Sequence, residues 1–357
     1  MIDEIKDKPE DSDSSESSIL AKASDVAFDF ITGTTIPAPV RRNFFKAVGQ
    51  LCTAAVDVPV AYLEGKAGEI RARNQGREKT IITIGDKIAE QVNVPVEYAD
   101  AAVMKEGSRI IRKQINLDKV FQVTAEQVKQ DLSSDKETEA LPQPTPDEQS
   151  TEENTISDDW LNTFEEEASS KSSEEMQLLF GRILAGEIQK PKSFSIKTLK
   201  LIGELDSTVA ALFQRFCSLS VSIKIPNYHI LDARVVSLGG NAAQNSLREF
   251  GLGFDKLNIL QEYGLIISDY NSYFDYKLSI VNKGNRVLLP LIYQNTKMAL
   301  LTTVERSEEA PLNLHGVALS GAGKELLGIV DVEHDEKYTS ALVKYFANTN
   351  LELRRLE

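Results

Sequence analysis

The stretch Met176-Gln-Leu-Leu-Phe-Gly-Arg-Ile-Leu-Ala-Gly-Glu-Ile188 decides the fold class of the chain around it. Its large apolar residues recur every three or four positions, which is the spacing of one face of an α-helix. Gly181, Ala185 and Gly186 interrupt this face with small side chains that let a second helix approach closely. Ser172-Ser-Glu-Glu175 predicts a capping box at the helix start. The stretch therefore predicts a core helix packed against another helix.

Helical periodicity continues on both sides of this stretch, and the pattern changes only after residue 220. Further helices are predicted over Ile19–Ile31, from about Pro39, from Ala61 to Leu132 with a start at Pro95, from Ser157, and over Ser195–Leu205 and Asp206–Leu219. Beyond Ser220, short apolar runs between turn residues predict strands at 222–225, 234–238, 265–268, 276–281 and 350–356, with helices at 255–263, 323–330 and 337–346. We therefore predict a mainly α protein with a C-terminal α+β part.

One segment of the C-terminal part has the order of a winged-helix unit. A predicted helix at Asp255–Tyr263 is followed by Gly264, a strand, a turn at Asp269–Ser272 and a second strand. This order resembles a recognition helix and its wing. The predicted architecture is a multi-helix domain followed by a winged-helix-like mixed domain. Winged-helix units bind DNA or proteins, so the order alone does not decide function.

The acidic charge of the chain is concentrated in two segments. The formal net charge is -14, and residues 1–18 and 133–159 contribute -5 and -8 of it. Segments this polar cannot bury a core, and the repeated prolines of Leu141-Pro-Gln-Pro-Thr-Pro146 oppose helix formation. We predict a disordered acidic tail at 1–18, a helical domain at 19–132 and 157–220 interrupted by an acidic linker at 133–156, and a winged-helix-like domain at 221–357.

Composition also bears on the compartment. Cys52 and Cys217 are the two cysteines, they lie far apart, and neither has a nearby His or Cys that would suggest a zinc site or a disulfide framework. The N-terminus lacks the basic start and apolar stretch of a secretory signal. No segment has the roughly 20 apolar residues of a membrane-spanning helix. We predict a cytoplasmic protein without a membrane span.

Motifs that would carry chemistry are incomplete in this sequence. Ser320-Gly-Ala-Gly-Lys-Glu325 lacks the first glycine and the final hydroxyl residue of a phosphate-binding loop, so we predict a turn into a helix capped by Ser320. His229, His315 and His334 are scattered, and Glu333-His-Asp-Glu336 is typical of a solvated turn rather than a metal site. We predict no catalytic residue, no metal and no cofactor.

Several stretches together resemble a known family. Trp160-Leu-Asn-Thr-Phe164, Phe180-Gly-Arg-Ile-Leu-Ala-Gly-Glu-Ile188, Lys192-Ser-Phe-Ser-Ile-Lys-Thr-Leu199 and Arg112-Lys-Gln-Ile-Asn116 are similar to the bacterial family known as domain of unknown function 2806. Related helical segments occur in bacterial proteins of abortive infection and phage defence, so the resemblance implies a defence role. It implies no catalytic residues.

The sequence leaves three functions open. The first is a non-enzymatic interaction or sensor protein that binds a protein partner or itself. Its candidate interaction residues are Gly181, Arg182, Gly186 and Glu187, although close helix packing, an ion pair or a helix cap also explains them. The second is a winged-helix DNA-binding regulator, for which charge between 220 and 297 is nearly balanced and nucleic-acid binding is weakly supported. The third is an enzyme whose site is assembled from dispersed residues.

Overall fold

The structure, a computed structural model, describes residues 36–51, 96–134, 155–225, 230–281, 287–307 and 309–356. The predicted tail 1–18, the predicted helix at Ile19–Ile31 and most of the predicted acidic linker lie outside these residues. The chain divides into two compact units, Met1–Ser193 and Phe194–Glu357.

The N-terminal unit is helical, as the sequence predicts. Its described helices are α1 (Ala38–Leu51), α2 (Val96–Ser134), α3 (Asp158–Ser169) and α4 (Glu174–Gln189). Val96 is the first described residue of α2 and Pro95 lies outside the described residues, so the predicted start at Pro95 stays a prediction. With 39 residues, α2 is far longer than its partners. At 1.5 Å per residue it extends about 58 Å.

Aromatic side chains form the core of this unit where the helices meet. Phe44 of α1 lies 5.1 Å from Phe121 of α2 between ring centroids, and Phe164 of α3 lies 5.6 Å from Phe180 of α4. All four rings are buried. Burying one such side chain contributes about 1.5–3 kcal/mol, so these contacts outweigh the helix propensity of any single residue.

The helix starts of this unit follow the capping preferences of serine, with one correction. Ser157 caps α3, since its hydroxyl accepts a hydrogen bond from the Trp160 amide at 3.2 Å. The predicted capping box at α4 is wrong. The helix begins at Glu174 with Ser173 as the N-cap, and the Ser173 side chain makes no capping bond. Starting one residue later moves Glu175 away from the third helical position that a capping box requires.

The C-terminal unit is a mixed α+β structure. Its helices are α5 (Ile196–Glu204), α6 (Ser207–Leu219), α7 (Phe254–Glu262), α8 (Gly321–Leu327) and α9 (Glu336–Asn348). Its strands are β1 (Val221–Lys224), β2 (Ile230–Val236), β3 (Ser272–Asp275), β4 (Ile280–Val281), β5 (Leu291–Tyr293), β6 (Thr296–Thr302), β7 (Asn313–Ala318) and β8 (Leu351–Arg355). The helical first part and the α+β second part that the sequence predicts are both present.

All eight described strands belong to one sheet. Their order is β3-β7-β2-β1-β5-β6-β4, and β8 also pairs with β6. Every pair is antiparallel except β4 with β6. Gln294 and Asn295 connect β5 to β6 with φ angles of 47° and 58°, and such paired positive φ values match the right-handed twist of a two-residue hairpin.

The segments expected to form a wing pair elsewhere. Residue Ile266 makes an isolated bridge with Leu319, and β3 pairs with β7. The second expected wing strand, predicted at 276–281, contributes β4, which runs parallel to β6. Within the described ranges, the two expected wing strands are therefore not hydrogen-bonded to each other, because each finds its partner in a later strand of the sheet.

Helices α5 and α6 belong to the C-terminal unit, although secondary structure changes type only after residue 220. Glu325 of α8 secures the start of α5, where its carboxylate accepts hydrogen bonds from the Ser195 amide at 2.8 Å and the Thr198 hydroxyl at 2.5 Å. In α6, the Arg215 guanidinium donates to the Phe250 carbonyl at 3.0 Å. The division into compact units therefore falls at Ser193, while residue 220 marks the first strand.

Candidate interaction surfaces

The glycine of the most distinctive stretch lies at a close contact between two helices. A Cβ atom on Gly181 of α4 would stand 2.5 Å from Cγ1 of Val123 in α2 and 3.2 Å from the Val120 carbonyl oxygen. The Thr124 hydroxyl also lies 3.2 Å from the Gly181 carbonyl oxygen, as a hydrogen-bond donor. Gly181 thus brings α4 close to α2 within one unit, as its small side chain predicts.

The other three candidate residues of α4 have separate surroundings. Glu187 is buried, and its Oε1 accepts a hydrogen bond from the Lys192 amide at 2.6 Å. The Gly186 carbonyl accepts the Lys190 amide at 2.9 Å at the end of the helix. Arg182 is half-buried and has an interaction partner. Glu187 therefore orders the turn after α4, while binding by these residues stays a prediction.

The first half of α2 exposes apolar side chains to solvent. The exposed fractions are 74% for Met104, 45% for Ile110 and 61% for Ile111, and Val103 beside them is half-buried. On a helix, residues 103, 104, 110 and 111 share one face, because positions seven apart return to nearly the same angle. We call these four residues the α2 stripe.

A second exposed apolar surface lies on α7 in the C-terminal unit. Phe254 and Ile259 are 41% and 37% exposed. The Phe254 ring packs edge-on against Tyr270 with centroids 5.8 Å apart, so its position is restrained. The exposed charges of α7 are Asp255, Lys256 and Glu262, a net of one negative charge. Positions five apart on a helix differ by about 140°, so Phe254 and Ile259 lie towards the two edges of the exposed side of α7. We call Phe254, Ile259 and these three residues the α7 face.

An ionic network is buried under the sheet. Arg234 forms two hydrogen bonds to the Asp232 carboxylate, at 2.6 and 2.8 Å, and donates to the Ser272 and Leu314 carbonyls at 2.8 and 2.9 Å. The Tyr276 hydroxyl donates to Asp232 at 2.8 Å. Burial raises the Tyr276 pKa well above its usual value, and the Asp232 charge raises it further. The tyrosine therefore stays a neutral donor, and Arg234 ties β2 to β3 and β7.

The run Ser320–Glu325 after β7 forms the capped start of helix α8, which packs closely against neighbouring chain. The Ser320 hydroxyl caps α8 by accepting the Gly323 amide at 3.1 Å, which confirms the predicted cap. A Cβ on Gly323 would overlap the Leu265 carbonyl oxygen, so this glycine permits a close approach of α8 to the preceding chain. The Lys324 amine donates to the Leu231 carbonyl at 3.0 Å.

The acidic run Glu333–Glu336 around His334 is mostly exposed and leads into helix α9. Asp335 caps α9 by accepting the Tyr338 amide, and it pairs with Arg215 at 2.6 Å. Hydrogen bonds from Tyr338 and Arg215 lower the Asp335 pKa against the opposing effect of burial, which is the largest single influence on it. Nδ1 of His334 lies 2.8 Å from Oε1 of Gln294. Glu333, His334 and Glu336 are exposed, so the predicted solvation of this run is confirmed, while Asp335 is half-buried where α9 begins.

Asp118 of α2 is a buried carboxylate in the N-terminal unit. It accepts a hydrogen bond from the neutral amide group of Gln114 at 3.0 Å. Burial raises the Asp118 pKa, and the Gln114 bond only partly opposes that rise. Gln114 also donates to the Leu51 carbonyl at 3.0 Å, which places the end of α1 beside this point of α2.

Metal binding and membrane spanning find no support in the part of the chain that the structure describes. In that part, no group of three or more His, Cys, Asp and Glu side chains is arranged to hold a metal ion. In the same ranges, no helix combines the length and apolar character needed to span a bilayer. His229 lies outside these residues.

Sequence reasoning overlooked both exposed surfaces. The α2 stripe has a signal in the sequence, namely the seven-residue spacing of Val103 to Ile110 and of Met104 to Ile111. That spacing predicts a common face but not its exposure. Phe254 has no such signal, because a single aromatic residue at a helix start is as typical of a core as of a surface.

These observations define a protein with a helical unit and an α+β unit. Residues 102–343 match the family described as protein of unknown function (DUF2806), and the chain belongs to that family. The match begins in the exposed half of α2 and ends in α9, so it spans residues of both units. No curated protein and no solved structure is significantly similar to this chain.

Proposed function

We propose that this protein is a non-enzymatic interaction protein that binds a protein partner through the α7 face. The observation that carries the proposal is the exposure of Phe254 and Ile259 on one short helix. Exposed aromatic anchors contribute strongly to protein interfaces when a partner buries them. The Tyr270 contact restrains Phe254 before binding, which reduces the conformational entropy lost on association.

Charge on the α7 face favours a protein over DNA. Duplex binding draws much of its affinity from lysine and arginine near phosphates. The α7 face has one lysine, Lys256, against the carboxylates of Asp255 and Glu262. A helix with this balance repels a phosphate backbone, whereas charges of both signs beside apolar residues are compatible with a protein interface.

The proposed cellular role is that of a sensor or phage-defence protein in the bacterial cytoplasm. The defence role is what the resemblance of the helical segments implies, the sensor role rests on the lack of a recognisable catalytic motif in the sequence, and two widely separated cysteines suit a reducing compartment. In such a role the α7 face would bind a component of the defence response. Genes for restriction, toxin or defence proteins next to this gene would support that role, and a metabolic operon would count against it.

The alternative is a winged-helix DNA-binding regulator. The observation that favours it is the order of α7, the turn after residue 268 and β3, which resembles a recognition helix and the start of a wing, although the two expected wing strands pair with other segments. A gel shift with generic duplex DNA at low salt tests it. Binding that weakens steeply as salt rises would support the regulator, and no binding at low salt would remove it.

The interaction proposal is tested by comparing variants in the native host. The full-length tagged protein is captured as wild type and with Phe254→Ser and Ile259→Ser together. The matched control is Val343→Ser, because Val343 is a similarly exposed apolar residue on α9. We expect a partner that is captured by wild type and the control but at least tenfold less by the double variant. Equal capture by all three proteins would refute the role of the α7 face.

A further inference from the structure

The exposed face of α2 continues into a face that is already covered. Val103 and Ile110 are followed at the same seven-residue spacing by Leu117 and Thr124, and Met104 and Ile111 by residues 118 and 125. The residues at 117, 118, 124 and 125 are all buried against the rest of the N-terminal unit. The α2 stripe is therefore the uncovered half of one continuous packing face.

The described residues on either side of 52–95 are Leu51 and Val96, and their positions relative to α2 are known. Helix α1 ends at Leu51, whose carbonyl accepts a hydrogen bond from Gln114 of α2 at 3.0 Å. The next described residue along the chain is Val96, at the start of α2. Residues 114 and 96 are separated by about 27 Å along the helix axis. Residues 52–95 therefore connect the two ends of the exposed half of α2.

From this continuity and these end points, we propose that the α2 stripe is a docking surface for residues 52–95 of the same chain. About eight extended residues are enough to span 27 Å, so the segment is several times longer than the direct path. Its sequence contains Ile81, Ile84, Ile88 and Val92, spaced by three, four and four residues. In the sequence, that spacing is typical of one apolar helical face, which is the kind of surface that would oppose the stripe.

The remaining sides of α2 suit this arrangement. Lys105, Arg109 and Arg112 are exposed and lie away from the stripe on the helix, so docking leaves their charges in water. A second copy of the chain is a poorer occupant. Two helical turns carrying four apolar side chains fall well short of the roughly 800 Å² per partner that a stable dimer buries.

Hydrogen exchange of the full-length chain tests the proposal. We expect the amides of residues 103–111 in α2 to exchange at least tenfold more slowly than the amides of a helix with this face exposed to solvent, at every protein concentration. Replacing Ile84 and Ile88 together by Ser, or Ile110 and Ile111 together by Ser, removes that protection at 103–111. Protection at residues 117–128 stays unchanged, which shows that the unit remains folded. The control is Lys105→Ser with Arg109→Ser, which leaves protection at 103–111 intact.

Three outcomes would overturn the proposal. The first is rapid exchange at 103–111 in the wild type. The second is protection that persists in the Ile84→Ser and Ile88→Ser variant. The third is protection that disappears on tenfold dilution together with a dimer mass by light scattering, which would identify a second copy as the occupant. The α7 face takes no part in this test, so its role is judged separately.

Discussion

Replacing Gly181 by Ala places one methyl group into the closest contact between α4 and α2. The new Cβ would stand 2.5 Å from Cγ1 and 2.8 Å from Cβ of Val123. An ordinary contact needs about 3.5–4.0 Å, so the helices must separate by about 1 Å. Val123 cannot turn aside, because a β-branched side chain in a helix has one strongly preferred rotamer.

The size of the effect follows from two opposing contributions. Overpacking of this kind costs about 1–3 kcal/mol. Alanine regains up to about 1 kcal/mol of helix propensity over glycine. The free energy of unfolding should therefore fall by about 1–2 kcal/mol. For a unit of this size that lowers the melting temperature by roughly 2–8 °C.

The same helix α2 provides a control of opposite sign. A Cβ on Gly107 would meet no described atom within 4 Å, and Gly107 lies on the side of the α2 stripe, so Gly107→Ala gains helix propensity and adds one methyl group to that apolar surface. It should raise the free energy of unfolding by about 0.5–1 kcal/mol. Thermal unfolding followed by circular dichroism measures both variants. Adding Val123→Ala to Gly181→Ala should recover part of the loss. If Gly181→Ala is as stable as wild type, the close-contact role of Gly181 is refuted.

Three further predictions concern stability in each unit. Gly323→Ala should lower the free energy of unfolding by about 2 kcal/mol or more, because its Cβ overlaps a backbone oxygen. Gly321→Ala, whose Cβ would meet no described atom within 4 Å, should be near neutral in the same urea unfolding experiment. Arg234→Leu should lower the free energy of unfolding by about 3–5 kcal/mol, because it leaves Asp232 buried without its cation. The double variant Asp232→Leu and Arg234→Leu should lose less stability, and a double variant no more stable than Arg234→Leu alone would contradict this reasoning. Asp118→Asn tests the raised pKa of Asp118, because the ionised carboxylate is buried and destabilises the fold at pH values above that pKa. As the pH falls from the raised pKa to the usual value of 3.8, the free energy of unfolding of the wild type should increase by about 1.4 kcal/mol per pH unit. The Asn variant should be more stable at neutral pH and lack this increase, and an identical pH profile would count against the raised pKa.

Local rules predicted most helix starts of this protein. Ser157, Ser195, Asp206 and Ser320 cap their helices as single hydroxyl or carboxylate side chains at the expected positions. These succeed because a cap involves only a side chain and an amide two or three residues away. The capping box before α4 failed by one residue, since it depends on where the helix begins.

Long-range pairing was beyond such rules. Nothing local to residues 265–281 indicates that β3 would pair with β7, about forty residues further along the chain, or that β4 would run parallel to β6. Strand partners are chosen by side-chain packing across the sheet and by the buried bonds of Arg234, which join segments far apart in sequence. For the same reason, the wing resemblance rested on the order of elements alone.

By itself the sequence determined the fold class, the helix periodicity and the small residue at Gly181 that a close helix contact requires, because these depend on neighbours within a few positions. Only the tertiary structure decided which helix Gly181 meets, that Glu187 orders the turn after α4, that Phe254 is exposed, and that the other described residues leave the α2 stripe uncovered. Exposure and partner choice depend on what the rest of the chain places nearby, and periodicity contains no information about that.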